Sequence, residues 1–129
     1  MILAALIALA GSPAFGAEDP IDKLWQSRVI VLLGEREIPD VKAQTKILQR
    51  GAAELKERQV EILNEQRPSG LLHKRYGHGE GFLVILIGKD GEEKLRSLKP
   101  VALEKITKLI DSMPMRKDEQ SQAAPKAGT

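Results

Sequence analysis

Two uninterrupted apolar runs, Val29–Leu33 behind Arg28 and Phe82–Ile87, set the framework of the chain. Each is too short for an ordinary helix and has no polar face, the pattern of a strand buried on both sides. Two other segments alternate. Val60 and Ile62 flank Glu61, and Glu93-Lys94-Leu95-Arg96 changes polarity along its length, as a strand with one wet face does. Between the first apolar run and Val60, the positions Val41, Leu48, Ala52 and Leu55, with Ile47 beside them, form one stripe at helical spacing. They predict a helix from Val41 into the early fifties, with Asp40 as its cap and Gly51 weakening it late. Pro68-Ser69-Gly70 breaks the chain, and Leu71–Tyr76 can form a short helix. Asp90-Gly91 marks a hairpin, because glycine accepts the positive φ of a tight turn. Leu103, Ile106, Ile110 and Met113 predict a last helix, stopped by Pro114.

The predicted order is β-α-β-(α)-β-β-α. A helical crossover joins parallel strands and a hairpin joins antiparallel ones. The two wholly apolar strands belong at the centre of the sheet and the two alternating ones at its edges. The expectation is an α/β domain with a four-stranded mixed sheet, order 2-1-3-4, and helices on both faces. This is the minimal thioredoxin-like arrangement; a split ferredoxin-like sandwich is the rival.

The ends of the chain read differently from its middle. Ile2–Ala10 is a short apolar run followed by Gly11-Ser12-Pro13 and the small-residue stretch Ala14-Phe15-Gly16. Residues 1–16 read as a secretory signal peptide cut before Ala17, although no Lys or Arg precedes the apolar run. Residues 118–129 hold charged, small and polar side chains and are expected to form a disordered tail, leaving 17–117 as the folded domain. The expected location is therefore periplasmic or extracellular, with no stable membrane anchor.

Composition narrows the chemistry. Among 129 residues there is no cysteine, so neither a disulfide nor thiolate chemistry is open to this chain acting alone. The net charge is only +2 and aromatic residues make up 3%. A nucleic-acid binder usually needs a basic face and aromatic platforms, so no nucleic-acid partner is expected.

Several stretches together resemble a known family. They are Trp25-Gln26-Ser27-Arg28, Gln44, Arg58, Gly81-Phe82 through Ile87-Gly88-Lys89-Asp90-Gly91, and Ile110-Asp111-Ser112-Met113-Pro114-Met115-Arg116. The resemblance is to a secreted thioredoxin-like domain of unknown function found in exported bacterial proteins and animal sushi-repeat extracellular proteins. It runs from about Pro20 to Arg116. It implies a fold related to that of peroxiredoxins, without an established activity. Ala102 stands where a Ser or Thr cap is expected for the last helix, and Gly81 stands where thioredoxins carry a cis-proline.

The candidate sites are few. The loop Gly34–Asp40 follows the first strand, where thioredoxins place their reactive group; here it offers Glu35, Glu37 and Asp40 but no nucleophile. These acids suit a positive helix end and could also hold a cation. His73, His78 and Glu80 could form a metal site, but surface histidines are the simpler expectation. Gly77-x-Gly79-x-Gly81 precedes a strand and lacks the strand-to-helix context of a phosphate loop. Lys89, Asp90 and Arg96 are the candidate recognition residues. Trp25 is expected to anchor the core, and Met113 and Met115 to close it, with Arg116 over the terminal carbonyls. No cofactor is implied. The expected function is an exported, non-catalytic module that contacts a protein. The alternatives are a peroxiredoxin-like or metal-dependent oxidoreductase using a partner's thiol or a metal, and a small-ligand carrier.

Overall fold

The computed structural model describes residues 19–123. After a 3-10 turn (Pro20–Lys23) come β1 (Arg28–Leu33), α1 (Pro39–Arg50), α2 (Ala52–Glu57), β2 (Val60–Glu65) and α3 (Leu71–Arg75). They are followed by β3 (Leu83–Ile87), β4 (Glu93–Ser97), α4 (Leu103–Asp111) and α5 (Pro114–Ala123). The four strands form one sheet in the order β2-β1-β3-β4. β1 runs parallel to β2 and antiparallel to β3, and β3 runs antiparallel to β4. This is the arrangement that the hydrophobic pattern predicts. Every residue of β1 and β3 is buried, because both lie in the middle of the sheet with packed layers above and below.

The pleat sends alternate residues of the central strands into two cores. Ile30, Leu32, Val84 and Leu86 face one side, where Val41 and Leu48 of α1, Leu55 of α2 and Ile106 and Ile110 of α4 cover them. Val29, Val31, Leu33, Leu83, Ile85 and Ile87 face the other, with Leu72 of α3 and the half-buried Tyr76. Helices thus lie on both faces, three against one core and one short helix against the other.

The hairpin between β3 and β4 turns at Asp90-Gly91. Gly91 has φ +86° and its N–H bonds the Gly88 carbonyl at 2.9 Å. Ala102 precedes α4 in extended conformation and makes no side-chain cap bond. The neighbouring Val101 is held instead by Gln44 of α1. The buried Gln44 amide accepts from Val101 N at 2.7 Å and donates to Val101 O at 3.1 Å.

Five local expectations need correction. α1 starts with Pro39 at its first position after Ile38, so Asp40 lies in the first turn and is not the cap. The expected single helix divides at Gly51, which is buried where Leu103 packs; a Cβ there would lie 2.5 Å from Leu103 Cδ1. Ala52 is accordingly exposed. On the edge strand β2 it is Leu63 that is buried, whereas Ile62 is 38% exposed. Trp25 does not anchor the core: it is 63% exposed and has φ +66°. Of the two methionines, Met113 packs partly against the first core and Met115 is exposed.

The C-terminal segment also differs from its expectation. Pro114 ends one helix and opens the next, and α5 continues through residues 118–123 of the expected tail. Apolar packing does not hold it there. The anchor is ionic, through Arg116 and Glu119. The expected signal peptide, 1–16, and residues 124–129 lie outside the described residues.

Candidate functional site

The N-terminal end of β1 gathers four cations. Arg28 opens the strand and is 1% exposed. Its Nη1 donates to the Arg58 carbonyl at 2.8 Å and to Glu119 Oε1 at 3.1 Å, and its Nη2 donates to Glu119 Oε2 at 3.2 Å. Its Nε faces the Met113 sulfur at 3.5 Å. Lys89, just beyond β3, is also buried and donates to Glu119 Oε2 at 2.5 Å and to Gln59 Oε1. Arg58 grips Asp111 with two bonds of 3.0 Å, from Nε and Nη2. Arg116 reaches Asp111 Oδ1 at 3.2 Å and Glu57 Oε2 at 3.3 Å.

Two carboxylates therefore tie α4 and α5 to the bottom of the sheet. Hydrogen bonds from Arg58 hold the Asp111 carboxyl below its ordinary range, against burial and with help from Arg116. Burial pushes Glu119 up, but its bonds from Arg28 and Lys89 prevail and hold it low. Buried cations persist in a protein only when paired in this way.

Beside this network is a small cavity of about 190 Å³. Arg28 and Lys89 form part of its polar lining, and Trp25, Met113, Pro114 and Met115 supply its apolar walls. Trp25 is fixed by its backbone: its N–H bonds the Lys89 carbonyl at 2.8 Å, and its φ is positive. A bulky residue in that region is an outlier, held only where its surroundings require it.

The three candidate recognition residues are not brought together as one surface. Lys89 and Asp90 line this cavity, but Lys89 is buried within the ion network and does not project outward. Asp90 turns back on its own hairpin, accepting from Glu92 N at 3.0 Å and pairing with Lys94 at 3.1 Å. Arg96 lies apart on β4, paired with Glu93 and donating to the Tyr76 carbonyl at 2.7 Å. Pattern reading missed Glu119, because a lone carboxylate in a wholly polar stretch carries no periodic signal. Trp25 and Met115, which the sequence pattern assigns to the core, are walls of this cavity instead.

At the opposite end of β1 lies a second cavity, of about 310 Å³, lined in part by Gly34, Glu35, Ile38 and Glu80. It adjoins the loop Gly34–Asp40, where thioredoxins place their reactive group and this chain offers no nucleophile. Glu35 and Glu37 are exposed and Asp40 half-buried. Among the described residues no group of three or more His, Asp or Glu is placed to hold a metal ion. His73 is not a surface histidine: it is 1% exposed and lines this cavity. Its Nδ1 lies 2.8 Å from Glu65 Oε1, and Glu65 also accepts from the backbone N–H groups of Leu72 and His73. Burial pushes the Glu65 carboxyl up, but these bonds outweigh it and hold it low. The His78 ring stacks against His73 at 5.8 Å and bonds the Gly81 carbonyl at 3.0 Å.

Comparison with solved structures finds the same thioredoxin-like fold in two peroxiredoxin structures. A Plasmodium yoelii Prx1a structure, described as an artifactual octamer modified at its N-terminus, superposes with TM-score 0.57 at 15% identity, covering 88% of this chain and 87% of that one. Plasmodium yoelii thioredoxin peroxidase I gives TM-score 0.54 at 14% identity, with 84% of each chain covered. Such identities speak for the thioredoxin-like fold alone. No curated protein matches the sequence. A family model described as a domain of unknown function, DUF4174, matches residues 22–119, and the chain belongs to that family.

Proposed function

We propose that this chain is an exported thioredoxin-like binding module that performs no thiol chemistry and contacts a protein through the face around Trp25 and Met115. The observation that carries this reading is Trp25 itself. A tryptophan that is 63% exposed, in a positive-φ conformation, beside an exposed methionine and a cavity, suits recognition better than packing. Aromatic residues with an apolar neighbour and a polar floor are the usual anchors of protein contacts. The sequence supports the non-catalytic half. Thiol exchange proceeds through a thiolate and a mixed disulfide, and this chain has no cysteine to form either. Export rests on the apolar run and small residues before Ala17.

Affinity capture from envelope and culture fluid of the native host tests the contact. It compares wild type, a Trp25→Ala/Met115→Ser variant, and Glu37→Gln at the far end of the sheet as control. One partner retained by wild type and control but lost by the face variant is expected. Equal capture by the face variant overturns the assignment. Insulin-reduction and peroxide-consumption assays accompany it; turnover by metal-free protein would end the non-catalytic reading. Intact mass of the protein recovered from the host decides export, with cleavage near Gly16 or Ala17 expected and retention of 1–16 excluding it.

A further inference from the structure

The sulfur of this chain is gathered at one place. The sequence holds three methionines and no cysteine. Met1 lies outside the described residues, and the other two both line the small cavity beside the cation network. Met115 is 36% exposed and forms part of the cavity wall. Met113 is half-buried, and its sulfur accepts from Arg28 Nε at 3.5 Å. Without cysteine, an exposed thioether is the side chain most open to oxygen transfer from a peroxide.

We propose that Met115 is a reversible modification site, at which a hydroperoxide converts the thioether to the sulfoxide and the cation-lined cavity holds the product. The sulfur attacks the outer oxygen of the hydroperoxide. The S–O bond forms as the O–O bond breaks, and sulfur gives up two electrons. The departing oxygen takes the hydroxyl proton and leaves as water or an alcohol. Met113 is the slower second site, because it is half-buried and Arg28 engages one of its sulfur lone pairs. Each chain therefore consumes peroxide only in proportion to its methionines and does not turn over.

The lining separates a switch from damage. A sulfoxide disrupts an apolar core, because its oxygen is a strong acceptor that finds no donor there. This cavity has donors: Arg28, Lys89 and Lys94 all line it. Lys94 is the accessible one, with its side chain 27% exposed and its ammonium bonded to Asp90 and Glu92 of its own hairpin. Three protons on that nitrogen leave one for a further oxygen. Oxidation thus keeps the fold and makes polar an apolar wall of the cavity that Trp25 also lines. Its effect on a protein partner rests on the contact face proposed above; the modification does not.

The test treats the full chain and a Met115→Leu variant with hydrogen peroxide. Peptide masses follow oxygen gain at each methionine, and the emission of Trp25, the one tryptophan, follows the cavity. Met115 should react before Met113, at a rate within about tenfold of N-acetylmethionine amide. The emission of wild type should shift to the red as Met115 reacts, while Met115→Leu keeps its emission over the same interval. The urea midpoint of the singly oxidised protein should equal that of the untreated one. Methionine sulfoxide reductases with a dithiol should restore the emission, which separates this change from oxidation of the indole. The proposal is overturned if Met115 reacts more slowly than that or after Met113, or if its oxidation leaves the emission unchanged. It is also overturned if Met115→Leu shifts equally, if the midpoint falls, or if reduction does not restore the emission. None of these readouts needs a partner, so a failed capture experiment leaves them intact.

Discussion

The Arg28 guanidinium and the Glu119 carboxylate form a two-bond pair, 3.1 and 3.2 Å, between the first residue of the central strand and the last helix. Lys89, two residues beyond the end of β3, joins the same carboxylate. One acid thus satisfies two buried cations and docks a helix that has little else to bury. The apolar walls formed by Pro114 and Met115 sit on that helix, so the geometry of the proposed contact face depends on Glu119.

Removing this carboxylate should be costly. Glu119→Ala leaves Arg28 and Lys89 buried without their counter-ion, which costs about 3 kcal/mol when a buried pair loses one partner. Urea denaturation should show a clearly lower midpoint, and α5 should lose its helical amide protection. A midpoint equal to wild type would mean that α5 is not held through this pair.

Acid should weaken the fold through the same groups. Glu119 is held below its ordinary 4.5 and Asp111 below its ordinary 3.8. A carboxyl with a depressed folded-state pKa contributes stability above its unfolded value and loses it as pH falls through the folded one, because the unfolded chain binds protons first. Stability is therefore expected to be flat from neutrality to about pH 5 and to fall below it. Glu61, Glu65 and Asp90, also held low, add to the fall. Asp111→Asn with Glu119→Gln should lower stability at neutral pH and flatten the acid limb. An acid limb as steep as wild type would place the pH dependence elsewhere.

Sequence pattern revealed the sheet because burial on two faces leaves a plain trace. Val29–Leu33 and Leu83–Ile87 could only be central, and Gly91 could only be a turn. The cation network was less visible. Arg28 sits within an apolar strand, where its charge looks like an edge feature, and its partner is 91 residues away. Trp25 differs for the opposite reason: indole burial is the common case, and no periodic pattern shows that this one stands exposed. His73 looked like a surface residue because its partner, Glu65, lies across a break at Pro68-Ser69-Gly70. Periodicity reports which residues are buried along one element; it does not report ion pairs between elements.

The buried Gln44 amide grips both backbone groups of Val101, two residues before α4. Gln44→Leu keeps the volume but leaves a buried N–H and a buried carbonyl unpaired. At roughly 1–3 kcal/mol for each unsatisfied group, the loss should be about 2–6 kcal/mol. Urea denaturation measures it, and hydrogen exchange at Val101 N–H should accelerate. Unchanged exchange there would show that another acceptor takes over.

The last prediction concerns the hairpin. Gly91 has φ +86°, outside the region that a β-branched residue adopts without strain. Its N–H closes the turn on Gly88 O, and Gly88 N in turn bonds Glu92 O at 2.9 Å, so the turn cannot relax φ without releasing both bonds. A Cβ at Gly91 would also lie 2.8 Å from Leu24 Cδ2. That contact is the end of a flexible side chain and can yield; the backbone cost cannot. Gly91→Val should therefore lower stability by about 1–3 kcal/mol. Gly91→Asn, which tolerates positive φ, should recover part of it. Comparing the three denaturation midpoints separates the causes. If Val and Asn are equally destabilising, the Leu24 contact sets the cost; if Asn is close to Gly, the dihedral sets it.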